Sequence, residues 1–325
     1  MDIFLTLLIN GLSEGAITFL IAVGLSIIWG LMDVVNFSHG AIFVWGAYVS
    51  AWVSARTGSF ALGLLSAAIA TALIGFVMEK LLISRIYKRH SAQIVLTLGL
   101  SIILVECVML VFGPQQIPVP RPEWLAGSWN INGVVISQYR IFLIVVGIIA
   151  IISVYLVFYR TKLGMVIRAG VQRPDMVEAI GVNIRLYFTL VFMGGAALAG
   201  LGGALFAPLV GALSAHSGDP NQITAIIVLI IGGMGDVMGT ASGSIFIGLL
   251  DKAVAWFLPS MSIFASAIVM ALVLTFRPQG LFRGLSIRRM GIGIGRLGLS
   301  IGRLSMSIGR RLGLSVGRLL KRREK

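Results

Sequence analysis

Residues 139–159 read YRIFLIVVGIIAIISVYLVFY, with a single charge, Arg140, in 21 positions. As a helix rising ~1.5 Å per residue, the run is ~31 Å long, close to the ~30 Å hydrocarbon core of a bilayer. Working outward, further apolar stretches fall at about 3–30, 40–56, 59–80, 92–112, 186–212, 222–234, 240–258 and 261–277. The 222–234 stretch is short and runs into Gly232-Gly233-Met234-Gly235-Asp236. That pattern suggests a broken or re-entrant helix, which a membrane tolerates only where protein or a water-filled cavity covers the backbone. Asp33 to Gly40 forms a second polar break between two apolar runs. The expected fold is an all-α integral membrane protein: a polytopic helical bundle of about 8–9 transmembrane segments with broken or re-entrant helices.

Composition supports this class. Mean hydropathy is +0.99 and charged residues make up 12% of the chain, against about 25% in soluble proteins. The net charge of +14 is unevenly placed. Residues 283–325 hold 12 Lys/Arg and one acid, whereas the preceding 282 residues hold 14 Lys/Arg and 11 Asp/Glu. This divides the chain into a transmembrane domain, 1–283, and a basic Gly/Ser/Arg-rich cytoplasmic tail, 284–325. No soluble domain or aromatic stacking platform accompanies the basic residues, so nucleic acid is not expected as a partner. In the tail Arg296, Arg303 and Arg310 recur every seven residues, which suits anionic membrane lipids at an inner leaflet.

Charge in the loops sets the orientation. Lys80, Arg85, Lys88 and Arg89 follow the third stretch, and Arg160, Lys162, Arg168, Arg173 and Arg185 lie between the fifth and sixth. The connection 113–138 carries only Arg121 among basic residues and is rich in Pro, Trp and Gly, as an external loop would be. The N-terminus is therefore expected outside (periplasmic) and the C-terminus in the cytoplasm. MDIFLTLLINGL at the start lacks a positive n-region and a small-residue cleavage site, and reads as a retained first helix.

Chemistry in water is not indicated. The chain has no G-x-x-x-x-G-K-[ST] loop and no H-E-x-x-H. His39, His90 and His216 are far apart and Cys107 is the sole cysteine, so neither a metal site nor a disulfide is expected. Instead, polar groups inside apolar stretches mark candidate points on a substrate pathway. These are Asn36, Ser38, His39 and Gly40 at the first break, Glu106 in the fourth stretch, and Gly232, Gly233 and Gly235 at the second break. Asn36 and Ser38 also suit an N-cap of the following helix, and His39 a satisfied interface histidine. Asp251-Lys252 form an adjacent opposite pair in the eighth stretch. Gly40-Ala-Ile-Phe43 and Gly243-Ser-Ile-Phe246 form a short echo, each after a break, as a relic of an internal repeat would.

The segment 160–185, RTKLGMVIRAGVQRPDMVEAIGVNIR, has a helix-like pattern, with Pro174 placed to start a short helix and Gly181 to end it. An amphipathic helix presented this way is what a partner's groove accepts.

The run Gly24-Leu25-Ser26 … Gly30 … Asn36-Phe37-Ser38-His39-Gly40 … Gly46-Ala47-Tyr48 resembles the N-terminal signature of bacterial branched-chain amino acid ABC permeases of the LivH type. So do Gly164 … Arg168-Ala169 … Ala179-Ile180-Gly181, Gly232-Gly233-Met234-Gly235 … Gly239, and Arg277-Pro278-Gln279-Gly280-Leu281-Phe282. The resemblance covers about residues 5–283. It implies a non-enzymatic half-transporter in the bacterial inner (cytoplasmic) membrane. Its partners would be a second permease subunit of LivM type, two cytoplasmic ATP-binding subunits and a periplasmic substrate-binding protein. No cofactor is expected on this chain, ATP being bound by the partner subunits. The resemblance makes Gly164, Arg168, Ala169, Pro174, Glu178, Ala179 and Gly181 the ATPase-coupling loop. The tail beyond Arg283 departs from the family pattern. Three alternatives remain open: a permease for urea or short amides in the same family, a self-sufficient secondary transporter with Glu106 or Asp251 carrying the proton, and a non-transporting membrane scaffold.

Overall fold

The computed structural model describes residues 2–282 apart from residues 88, 132–133, 173, 180 and 278–279. The basic tail expected to meet lipid lies outside the described residues. Each apolar stretch forms a helix. In chain order these are α1 (Asp2–Met32), α2 (His39–Thr57), α3 (Phe60–Leu81), α4 (His90–Phe112), α5 (Gln138–Arg160), α8 (Ile184–Val210), α9 (Gly218–Gly232), α10 (Val237–Phe257) and α11 (Ser262–Phe276). Two further helices, α6 (Lys162–Gln172) and α7 (Pro174–Ala179), lie in the 160–185 segment. By length and apolarity, six helices are able to cross a membrane: α1, α3, α4, α5, α8 and α10. The 15-residue helices α9 and α11 are shorter.

The sequence alone does not single out α1, yet α1 is the core. Its most apolar window is 83% buried, against 22% or less for α3, α4 and α5. It packs on α10, α8, α5 and α9, while α2 lies against α8 and α3. The outer helices turn large apolar residues outward at one-turn spacing, such as Leu65, Ile69 and Leu73 on α3 and Ile148 and Ile152 on α5. In water these would expose an apolar surface far beyond what a soluble monomer carries. In a bilayer they meet acyl chains.

Glycine sets the interhelical distances. A Cβ at Gly46 would collide with the Gly200 backbone, and one at Gly203 with the Phe43 carbonyl. The backbones of α2 and α8 therefore touch, as small-residue packing in membranes permits. At one end of the bundle, β1 (Ile117–Pro118) pairs antiparallel with β4 (Ala212–Leu213), and β2 (Ser128–Ile131) forms a hairpin with β3 (Val134–Ser137). The β1–β4 pairing ties the connection after α4 to the end of α8, whereas β3 packs on α1 and α5. Residues 117–124 line one side of a cavity of about 790 Å³ whose walls include Tyr48, Trp52, Phe112, Arg121, Trp124 and Pro208.

Candidate functional site

The first break, residues 33–38, leaves backbone groups without helical partners inside the bundle, and side chains from two other helices take them up. Gln93 Oε1 on α4 accepts from the Val35 amide (3.3 Å), and Thr97 Oγ1 accepts from the Phe37 amide (3.1 Å). Gln222 Nε2 on α9 donates to the Asn36 carbonyl (3.3 Å). His39 donates from Nε2 to the Ile21 carbonyl of α1 (3.1 Å). Asn36, Ser38, His39 and Gly40 are all buried. Ser38 occupies the N-cap position of α2 but makes no cap bond to the helix. Its amide and hydroxyl both donate to Asn36 Oδ1, at 3.0 and 2.6 Å. The expected side-chain cap thus gives way to a local Asx turn, which competes for the same groups.

This polar cluster is not fully paired. Asn36 Nδ2, His39 Nδ1 and Gln222 Oε1 are buried without a hydrogen-bond partner. A narrow crevice past Trp29 and Phe37 reaches Asn36 and Gln222, with no room for a water molecule. Unpaired buried polar atoms cost roughly 1–3 kcal/mol each. Thr97→Val would orphan the Phe37 amide and is expected to lower stability by about 1–3 kcal/mol, read as a melting shift in detergent. Thr97→Ser keeps the acceptor and should melt close to wild type. Equal melting of Thr97→Val and wild type would remove Thr97 from this role.

The second break needs glycine. Gly233 (φ +94°) and Gly235 (φ +77°) lie in the left-handed region, which side chains with a Cβ rarely enter. Asp236 then caps α10, its Oδ1 accepting from the Met238 amide (3.1 Å). Ser26 of α1 accepts from the Gly235 amide (3.1 Å) and lies 3.1 Å from the Thr240 hydroxyl. Gly30 meets the Gly235 backbone so closely that no Cβ fits between them. Gly232 and Gly233 are buried and Gly235 half-buried. One helix, α9, joins the two breaks: Gln222 near its start holds the first, and its end forms the second. Glu106 does not join them. It is exposed on the outer face of α4.

The 160–185 segment folds as a pair of short helices that pack mainly on the ends of α5 and α8. Gly164 is buried with its Cα against the Phe158 backbone, and Ile167 and Gly170 face inward. Arg168 is half-buried, its guanidinium 5.1 Å from the centre of the Tyr159 ring. Ala169, Glu178 and Ala179 are exposed. Pro174 opens α7, as its fixed φ favours. Gly181 (φ +84°) closes it, its amide donating to the Glu178 carbonyl (2.9 Å). Val177 is buried, whereas Leu163, Met165 and Met176 are exposed. An amphipathic platform with methionines outward results.

Sequence reasoning missed several polar residues that tie helices together. Gln93 and Thr97 are spaced by four, which puts them on one face of α4, and a polar pair at that spacing in an apolar stretch is a readable signal. Glu79 on α3 is buried, accepting from Thr189 of α8 (2.6 Å) and from Tyr87. Burial and the Glu79 carboxylate push the Tyr87 phenol up, so it stays a neutral donor. Lys252 forms its ion pair with Glu14 of α1. Asp251, its neighbour in sequence, points elsewhere and has a buried, unpartnered Oδ1, because successive helical residues diverge by about 100°. Arg140 donates to Ser13 Oγ (3.1 Å). Among the described residues no three His, Cys, Asp or Glu side chains are grouped to hold a metal.

An interior helix sheathed by apolar outer helices, with glycine breaks inside and an amphipathic pair at one end, defines a multi-pass helical membrane protein. Residues 7–276 match the family described as branched-chain amino acid transport system / permease component, and the chain belongs to that family. This is a family of transport permeases, not enzymes. The chain is 27% identical over 292 residues to the high-affinity branched-chain amino acid transport system permease protein BraD of Pseudomonas aeruginosa, covering 86% of this chain and 95% of that relative. It is 24% identical over 263 residues to LivH of Salmonella typhimurium, a permease protein described in the same words, covering 76% and 85%. The probable branched-chain amino acid transport permease protein LivH of Methanocaldococcus jannaschii is 24% identical, covering 76% and 81%. No solved structure matches the chain.

Proposed function

We propose that this chain is one of two membrane-spanning permease subunits of an ATP-driven importer that carries branched-chain amino acids into a bacterial cytoplasm across the inner membrane. The observation that carries the reading is the α6–α7 platform. Its exposed Leu163, Met165 and Met176 offer an adaptable apolar surface to a chain that has no phosphate-binding loop of its own. One of two cytoplasmic ATP-binding subunits docks there, a second permease of LivM type completes the path, and a periplasmic binding protein delivers substrate. The names of the relatives supply the substrate class. No cofactor is bound by this chain.

In this reading the nine apolar helices cross or enter the membrane, with the N-terminus periplasmic and the platform and tail cytoplasmic. α8 links the two faces. It starts beside α7, and its far end, about 20 residues or ~30 Å along, lines the 790 Å³ cavity with Ala204, Ala207 and Pro208. That cavity, walled by aromatics and Arg121, suits reception of a zwitterion with an apolar side chain. Movement of α6–α7 on ATP hydrolysis is passed through α8 to α1 and α2. The closed cluster at Asn36, His39 and Gln222 opens as the inner barrier of the path.

The test is to tag the chain in its host, extract it in mild detergent, and measure leucine uptake by the reconstituted complex. Co-purification of ATPases and a second permease, with uptake that needs ATP and binding protein, is expected. Uptake by the chain alone under an ion gradient would overturn the reading in favour of a secondary carrier. Deleting residues 284–325 is expected to leave uptake intact and to weaken binding to anionic vesicles, by ~1 kcal/mol for each basic residue near the surface. Unchanged vesicle binding would defeat the lipid role of the tail.

A further inference from the structure

Glu106 is six residues from the end of α4 at Phe112, which puts its carboxylate about 9 Å in from that end of a helix about 34 Å long. No hydrogen bond or ion pair reaches it among the described residues. Its neighbours on the same face are Gly99, which has open space where a Cβ would sit, and Ile102 and Leu110, exposed by 66% and 84%. The outer faces of α3 and α5 are different, with Leu65, Ile69 and Leu73 or Ile148, Ile149 and Ile152 and no acid among them. Those faces suit lipid. A carboxylate turned to acyl chains inside the hydrocarbon region is costly, and nothing among the described residues offsets it.

The geometry points to a protein partner on this face. Resting on the importer reading, we infer that the strip Gly99, Ile102, Glu106, Leu110 packs against the second permease subunit, which presents a lysine, arginine or amide donor to Glu106. A second copy of this chain fits poorly. Two copies in one membrane, related by a two-fold axis along its normal, would set α4 on α4 and Glu106 beside Glu106, a like-charge contact. Among the described residues, Arg140 and Lys252, the cations on helices in the outer half, are engaged with Ser13 and Glu14. The ionisable residue at the start of α4, His90, is about 24 Å away along the helix. A different chain with a donor at that depth meets the need. Gly99 would allow its backbone to come close.

The experiment uses the full complex in host membranes, with a photo-crosslinking phenylalanine analogue at Ile102 or Leu110 and Glu106 intact. The expected adduct joins this chain to one other polytopic chain of the same permease family, at a position next to a donor side chain. Glu106→Lys is expected to cut recovery of that chain at least about tenfold, since breaking a buried charge pair weakens a complex by this much or more. Glu106→Gln, which still accepts a hydrogen bond, should keep most of it. Exchanging the identified donor for glutamate should restore recovery with Glu106→Lys. Adducts to a second copy of this chain, or to lipid alone while ATPases and a second permease co-purify, would overturn the interface and leave the importer reading standing. Unaltered recovery with Glu106→Lys would overturn it equally. Absence of both ATPases and a second permease from the wild-type preparation would remove the importer reading itself, and the interface with it.

Discussion

Met165→Glu is expected to abolish ATP-driven uptake while the protein accumulates in the membrane at its normal level. Met165 is exposed on α6, whose inward side is formed by Gly164, Ile167 and Gly170. A charge at 165 therefore disturbs no packing within the chain and acts only on whatever covers the platform. Truncating a central apolar contact of a docking surface costs 2 kcal/mol or more, and an uncompensated acid costs more still. Uptake and substrate-stimulated ATPase activity should fall at least about tenfold on that basis. Arg168→Glu and Gly181→Glu should have the same direction of effect with some loss of stability. The first breaks the stacking on Tyr159, and the second forces a Cβ into the left-handed region at a cost of about 1–2 kcal/mol. Normal ATPase stimulation in Met165→Glu, with the protein at wild-type abundance, would show that the platform is not the docking surface.

The positions of the helices were legible, because apolar length is a local property. The stretches at 92–112 and 139–159 became α4 and α5 with ends shifted by no more than two residues. The breaks were legible for the same reason: Gly233 and Gly235 advertise a backbone that other residues do not adopt, and Pro174 and Gly181 bracket α7. What sequence could not rank was burial. α1 and α5 are both strongly apolar, yet one is the core and the other lies on the outside of the bundle, since in a membrane an apolar residue is at home in either place. Nor could it pair polar residues across the chain. Thr97 meets Phe37 and Gln222 meets Asn36 over 60 and 186 positions, and no local pattern encodes such partners. Lys252 stood next to an obvious partner in sequence and chose Glu14 instead.

The echo between Gly40-Ala41-Ile42-Phe43 and Gly243-Ser244-Ile245-Phe246 shows how far four residues reach. Gly40 is the second residue of α2, whereas Gly243 is the seventh of α10, so the two tetrads sit at different heights relative to their breaks. Both glycines still serve close packing: a Cβ on Gly40 would press on Gln222 and Gly218, one on Gly243 on Val228 and Gly232. α9 supplies the opposing surface in both cases. The likeness is therefore one of packing against a shared helix.

The tract Gly194-Gly195 … Gly200 … Gly202-Gly203 in α8 reads as uniform, yet its members are expected to differ sharply when replaced by alanine. At Gly203 the new methyl would overlap the Phe43 carbonyl and approach the Ala47 amide at 3.1 Å. Both belong to the α2 backbone, which cannot rotate away as a side chain would. The helices must separate, opening the contact that also seats Gly46 on Gly200. Overpacking a core costs typically 1–3 kcal/mol even where side chains yield, so Gly203→Ala is expected to cost about 3 kcal/mol or more and to leave little folded protein. Gly194 lies in the same tract with nothing within 4 Å of its would-be Cβ. There alanine meets no obstacle and gains about 0.5–1 kcal/mol from the lower conformational freedom of the unfolded chain. Fluorescence-detected size exclusion with a melting series on both variants decides the matter. A folded, stable Gly203→Ala protein would mean that α2 and α8 are not in backbone contact, and with it would go the route by which α8 is taken to move α2 and the first break.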